Sequence, residues 1–381
     1  MRNMEKKEIN VAVIGNGARS CGVVRNLLRD SERNVHVVSV YDPDPNESRR
    51  CLEIWQSPDA KCCSSSLEAI RTPGVDWVMI FSPNAFHKQH ILEGFAAGKN
   101  VFSEKPLATS IADCAEIFDA WRSSGVLFAT GFVLRYAPLY RKTREILDSG
   151  KLGRIISIDA DEHIAPVHGG YIMCNWRRFT KFAGPHILEK CCHDLDLINW
   201  FCGSLPSRVS AFGGRDLFKP ENRCLEEKYG AKTFHSWRDP HGAETPFTDD
   251  TDLMDNTVAI AEFRNNIRVA FSCTMSNAIP ERRMRFCCTE GILEVELYGG
   301  ILKYRNLGDE GVTVINFAGD GHAGGDSYIM KELYECMCTG STPKCGGSEG
   351  LESAVFALAL DESARTGKIV DLEPVWKKLA R

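Results

Sequence analysis

Apolar and polar positions alternate in two different ways along this chain, and the change falls near residue 130. Before it, short apolar runs separate segments of helical spacing. "INVAVIG" is a compact β-rich run, and "SCGVVRNLLRD" after it carries its apolar residues at helical intervals. "VHVVSVYD" and "VDWVMIFS" read as further strands, with short helices predicted at "LEIW" and "SLEAI" between them. "AFHKQHILEGFAAG" reads as a helix, "KNVFSE" as a strand, and "VLFATGF" as another. "SIADCAEIFDAWRSSG" combines a serine cap candidate with helical apolar spacing. Strands alternating with helices imply a parallel sheet with right-handed crossovers.

Beyond residue 132 the pattern turns to hairpins. "LYRKTREILDSGKLG" is helical, and "RIISIDADEHI" alternates and opens a strand series. "HILEKCCHDLDLINWFCG" reads as one helix ended by Gly203. "PSRVSAFGG", "TVAIAEFRNNIRVAFSCTMS", "RRMRFCCTEGILEVEL" and "GILKYRNL" read as strands, with "RNN" and "TEG" as turns. "SYIMKELYECMCTG" and "GLESAVFALALDESARTG" are late helices, each closed by glycine. Residues 218 to 256 are polar and weakly patterned, which predicts a long functional loop. The expectation is an α/β dinucleotide-binding domain over 1–130, then an α+β domain over 131–381 with an open, largely antiparallel sheet.

Composition narrows the class. Hydrophobic residues at 43% and charged residues at 25% suit a soluble globular protein, and 381 residues favour two domains. A net charge of −5 gives no reason to expect nucleic acid as a partner. No apolar run approaches bilayer length, and "MRNMEKKEINVAVIGNG" lacks a signal-peptide pattern, so a cytoplasmic location is expected. The sixteen cysteines include the pairs Cys62-Cys63, Cys191-Cys192 and Cys287-Cys288. None builds a paired C-x-x-C framework, so they are expected to be reduced core residues and no metal is expected.

"VAVIGNGARS" places Gly15, Gly17 and Ser20 where a G-x-G-x-x-G would stand. The first glycine permits the tight strand-to-helix turn. The second leaves room for pyrophosphate at the helix N-terminus, and the third position needs only a small residue. Asp42 closes the second strand, where it can accept from a ribose 2′-OH and repel a 2′-phosphate. NAD is therefore expected over NADP, although Arg49 and Arg50 lie nearby.

With those motifs, "SPNAFHKQH" at 82 to 90, "EKPLA" at 104 to 108, "GFVLRYAP" at 131 to 138 and "HDLDL" at 193 to 197, the chain resembles the Gfo/Idh/MocA family of sugar and cyclitol oxidoreductases. The resemblance implies that Asn16, Arg19, Ser82, Asn84, His87 and Glu104 belong with the cofactor loops. It implies that Lys105, fixed by Pro106 at the C-terminal edge of the parallel sheet, contacts cofactor and stabilises a developing alkoxide. His193 resembles the family's general base, an imidazole suited to proton removal near neutral pH. On one helix Glu189 and His193 would share a face at i and i+4. The family usually has Asp at the Glu189 position. The departure lengthens the acid arm by one methylene, and the resemblance implies a catalytic Glu189 that orients His193 or relays its proton. Arg135 and Tyr136 match positions lining the substrate pocket. Trp176 and Arg177 would supply a stacking wall and an anion-binding group, and His322 would reach the substrate.

Three functions follow from the resemblance. The first is hydride transfer between NAD and a secondary hydroxyl of a sugar, glycoside or cyclitol. The second is redox-neutral glycoside hydrolysis through a 3-keto intermediate, with NAD retained. The third is a non-catalytic sugar sensor. A homodimer or homotetramer is the implied assembly.

Overall fold

The computed structural model of the protein describes residues 8–235, 243–317, 322 and 324–381. It divides into two compact units. The first comprises residues 1–136 and 325–351, the second 137–324 and 352–381.

The first unit follows the predicted alternation. Its elements are β1 (Ile9–Ile14), α1 (Ala18–Asp30), β2 (Val35–Tyr41), α2 (Pro45–Trp55), β3 (Lys61–Cys62), α3 (Ser66–Ile70), β4 (Trp77–Ile80), α4 (His87–Ala96), β5 (Asn100–Ser103), α5 (Ile111–Ser124) and β6 (Phe128–Thr130). The six strands pair in parallel in the order β3-β2-β1-β4-β5-β6. That order is the doubly wound dinucleotide-binding arrangement. β1 lies between β2 and β4 with five of its six residues buried, which explains its near-continuous apolar run. The predicted cap of α5 forms: Ser110 Oγ accepts the Asp113 N–H at 3.1 Å, and Gly125 ends the helix in the left-handed region.

The second unit contains α6 (Pro138–Asp148), β7 (Ile155–His163), α7 (Pro166–Met173), α8 (Thr180–Ala183), α9 (His186–Glu189), α10 (Cys192–Cys202), β8 (Pro206–Gly214), α11 (Cys224–Tyr229), β9 (Asn256–Phe263), β10 (Arg268–Thr274), β11 (Arg283–Cys288), β12 (Gly291–Glu296), β13 (Ile301–Asn306) and β14 (Thr313–Asn316). Helix α12 (Gly325–Thr339) belongs to the first unit. The boundary falls within α13 (Gly347–Thr366), and β15 (Val370–Asp371) and α14 (Glu373–Lys378) complete the second unit. Nine strands form one sheet, β14-β13-β12-β11-β7-β10-β9-β8-β15. Among the described residues of this sheet, β7 and β10 run parallel and the other pairings are antiparallel. The sheet is open: Phe212, Val258 and Ile260 on β8 and β9 are exposed while alternate residues of those strands are buried.

Three expectations change. The stretch from His186 to Gly203 is two helices, because the chain leaves regular helix at Lys190 and Cys191. α10 is also buried on all sides from Cys192 to Asn199, so the polar residues His193, Asp194, Asp196 and Asn199 are turned to protein and not to solvent. The segment from 218 to 256 is not a bare loop. It carries α11, and Phe218, Phe234, Phe247 and Leu253 pack with Ile164, Ile172, Met173 and Met275 into a small core. Residues 236–242 of that segment lie outside the described ones. All sixteen cysteines are free, eleven of them buried. No helix among the described residues is long and apolar enough to cross a membrane.

Candidate active site

In the first unit the strand ends bring the expected cofactor residues to the C-terminal edge of the sheet. Gly15 takes a φ of +85°, and a Cβ there would stand 2.5 Å from the Ser82 backbone nitrogen. Only glycine fits this turn. The buried Asn16 donates its N–H to Asp42 Oδ2 at 2.7 Å and its side-chain amide to Ser48 Oγ at 2.9 Å. At Gly17 a Cβ would meet nothing within 4 Å, and no side chain caps the N-terminus of α1. Open space beside first-turn amides without helical partners fits a pyrophosphate. Ser20 occupies the third motif position because its hydroxyl turns back to the Gly17 carbonyl at 2.8 Å.

Asp42 also accepts the Asp44 N–H at 2.9 Å, through Oδ1. Each of its oxygens retains acceptor capacity for a ribose hydroxyl. Burial pushes its carboxyl above the ordinary value, opposed by the two backbone N–H bonds. Nearby on α2, Arg50 pairs with Glu47 at 2.5 Å and the exposed Arg49 with Asn46 at 3.1 Å.

Arg19 and Glu104 meet each other. Arg19 Nε lies 2.7 Å from Glu104 Oε1, and its Nη1 lies 2.6 Å from Asp326 Oδ1. Burial would lower the Arg19 pKa, but the two carboxylates hold it above the ordinary value. Glu104 Oε2 accepts the Lys105 N–H at 3.3 Å, and a Cβ on Gly131 would stand 2.8 Å from that same oxygen. Lys105 is half-buried, just past the end of β5, and its peptide bond to Pro106 is cis. His87 links two strand-end loops. Its Nδ1 is 2.7 Å from the Pro106 carbonyl and its Nε2 is 2.8 Å from the Ser82 carbonyl. Burial lowers its pKa, against the pull of the two carbonyls. Ser82 Oγ also meets His90 Nδ1 at 2.9 Å, and Asn84 is buried at the start of the turn before α4. Tyr136 donates its hydroxyl to Glu332 at 3.1 Å, beside a half-buried Arg135.

In the second unit Arg177 Nε donates to Glu189 Oε1 at 2.9 Å, and its Nη1 reaches Tyr171 Oη at 2.8 Å and Asn175 Oδ1 at 3.0 Å. The guanidinium stacks 4.2 Å from the Trp176 ring centroid. Trp176, Arg177 and Glu189 therefore form one cluster. His193, buried in the first turn of α10, has its ring centroid 6.2 Å from that of His322. The shared helical face expected for Glu189 and His193 is interrupted by the break at Lys190 and Cys191. Lys190 Nζ lies 3.9 Å from Glu162, and Asp194 makes a two-pronged bond to Arg282, 2.7 Å at each oxygen. Arg282, Glu162 and Asp326 were not singled out in the sequence, because each lies far along the chain from its partner and no spacing rule points to it.

A family model for the oxidoreductase family, NAD-binding Rossmann fold, matches residues 9–132, and one for that family's C-terminal alpha/beta domain matches residues 144–372. The chain is 22% identical to the putative oxidoreductase YteT of Bacillus subtilis (strain 168), over 93% of this chain and 94% of that one. It is 32% identical to an inositol 2-dehydrogenase of Gluconacetobacter diazotrophicus, over 59% of this chain and 65% of that one. Among solved structures, a levoglucosan dehydrogenase in complex with NADH and levoglucosan superposes with a TM-score of 0.81 at 16% identity, covering 96% of this chain and 99% of that one.

Proposed function

This chain belongs to the Gfo/Idh/MocA family of oxidoreductases, and from that premise we propose that it transfers hydride between NAD and a secondary hydroxyl of a sugar, glycoside or cyclitol. One observation carries the reading. Lys105 stands at the C-terminal end of β5, on the same sheet edge as the Gly15–Gly17 turn and Asp42. The named substrates of the relatives, inositol and levoglucosan, support a polyhydroxylated substrate.

Bound NAD supplies the hydride acceptor at nicotinamide C4. The α1 amides and Asp42 would hold the dinucleotide. The Lys105 ammonium donates a hydrogen bond to the reacting hydroxyl oxygen and stabilises its negative charge as the C–H bond breaks. His193 accepts the hydroxyl proton. Glu189, held by Arg177, accepts hydrogen bonds from a neighbouring hydroxyl, and the Trp176 face packs on the sugar's C–H surface. The exposed apolar residues Phe212, Val258 and Ile260 support a homo-oligomer built on the open sheet.

The test is a panel of sugars, cyclitols and aryl glycosides with added NAD, following the NADH band and liberated aglycone together. Growth of NADH matched by a keto product supports the dehydrogenase. Aglycone release without net NADH would replace it with redox-neutral glycoside cleavage. In that reaction Glu189 is the additional acid/base group.

A further inference from the structure

Cys191 has no part in hydride transfer, although it sits between Glu189 and His193. The fold places it among other soft donors. His186, Cys191 and Cys273 are all buried, and their ligating atoms lie within 4.8 Å of one another. They come from three places: the start of α9, the link between α9 and α10, and strand β10. Cys273 stands directly opposite Glu162 in the β7–β10 register. Glu162 is fully buried, and its Oε2 is 3.9 Å from the Cys191 sulfur.

We propose that His186, Cys191 and Cys273, with Glu162 as fourth ligand, bind a thiophilic divalent cation, zinc above all, which fastens the α9–α10 link to the sheet. Two sulfurs, an imidazole and a carboxylate from separate elements form a donor set suited to tetrahedral zinc. Zinc–sulfur bonds of about 2.3 Å and zinc–nitrogen bonds of about 2.0 Å require donor separations of roughly 3.3–3.8 Å. For His186, Cys191 and Cys273, closing from 4.8 Å takes about 1 Å of side-chain movement, within reach of small rotamer changes; Glu162, which stands near the Cys191 sulfur but outside that 4.8 Å group, would swing in to complete the set. Charge balances as well. The dication replaces the two thiol protons, which pass to solvent, and the resulting thiolates offset it. The Glu162 carboxylate already faces the Lys190 ammonium at 3.9 Å. The donors are neighbours across the fold and not along the chain, so they show no C-x-x-C spacing. The bound ion would act as a clamp. It would fix the non-helical link that separates Glu189 from His193, and so hold both side chains in place. This inference does not depend on the identity of the substrate.

The experiment starts with full-length protein purified under reducing conditions. Its metal content is measured by mass spectrometry, and chelator-stripped protein is then titrated with Co²⁺. One equivalent of bound metal is expected, with a thiolate-to-cobalt charge-transfer band and the visible bands of a tetrahedral site. Cys273→Ser should weaken cobalt binding by more than about 100-fold, the upper end of what outer-shell changes cost. Cys202→Ser, a buried cysteine of α10 outside the cluster, should leave it unchanged. If Cys273→Ser does not fold, the wild-type cobalt spectrum still decides the matter. Substoichiometric metal with no charge-transfer band would overturn the proposal. So would a Cys191–Cys273 disulfide found by alkylation and peptide mapping of protein purified without reductant.

Discussion

Replacing Arg282 with Met should destabilise the second unit more than any other single change to a charged side chain there. Arg282 is 2% exposed and Asp194 0%, and the two-pronged bond between them has both distances at 2.7 Å. Burial would lower the Arg282 pKa, but Asp194 holds it well above the ordinary value. Arg282→Met leaves the Asp194 carboxylate buried without its counter-ion. Breaking such a pair from one side costs about 3–5 kcal/mol. For a unit of this size each kcal/mol lowers Tm by about 2–4 °C, so a fall of roughly 6–20 °C is expected. Asp194 follows His193 directly in the first turn of α10, so turnover should fall while NAD affinity is retained. The double variant Asp194→Leu/Arg282→Met removes both charges and should recover most of the loss. Recovery should be incomplete, because Arg282 also faces Glu162. The assay is urea unfolding of wild type, both single variants and the double variant, with coupling read from the cycle. A single-variant loss below about 1 kcal/mol, the range of exposed pairs, would refute the reasoning. So would a double variant no more stable than Arg282→Met.

Gly15→Ala should abolish NAD binding or the fold of the first unit, because the added Cβ meets a backbone nitrogen that has no room to yield; calorimetric NAD affinity within about threefold of wild type would contradict this. Asp42→Ala should weaken NAD binding by about 10–100-fold through loss of the ribose acceptor, with a smaller effect on NADP, measured by fluorescence titration. His90 is buried beside Ser82, and burial pulls its pKa down to about 4, with Glu93 opposing. The unfolded chain takes up this proton near the ordinary value of about 6.5 and the native protein only near 4. Stability is therefore full above pH 6.5 and declines towards pH 4, by at most about 3.5 kcal/mol. His90→Gln should flatten that decline in denaturant titrations at several pH values, and an unchanged slope would show that His90 does not cause it.

The dinucleotide-binding unit was legible because its determinants are local. A glycine that alone fits the turn, a helix with a bare N-terminus and an acid closing the next strand occupy one short stretch from Gly15 to Asp42. The hairpins of the second unit were legible for the same reason, since "RNN" and "TEG" join strands adjacent in sequence. What stayed hidden depends on distance along the chain. Arg19 pairs with Glu104 and Asp326, 85 and 307 positions away. The break at Lys190 and Cys191 was masked because the apolar pattern runs through it unbroken. The residues at and just past it are paired with other elements, Lys190 with Glu162 and Asp194 with Arg282, which lie far along the chain. In the segment from 218 to 256 the packing aromatics Phe218, Phe234 and Phe247 are too far apart to register as a period, so a small core read as a loop.

The central claim is that Lys105 serves hydride transfer to NAD, and Lys105→Ala assayed on the best substrate of the panel tests it most directly. The account predicts that the variant binds NAD as wild type does, by titration, and that its turnover, read from the NADH band, falls by about 10²–10³-fold, the effect of losing one donor to a developing oxyanion. Wild-type turnover in a variant that still binds NAD would contradict it.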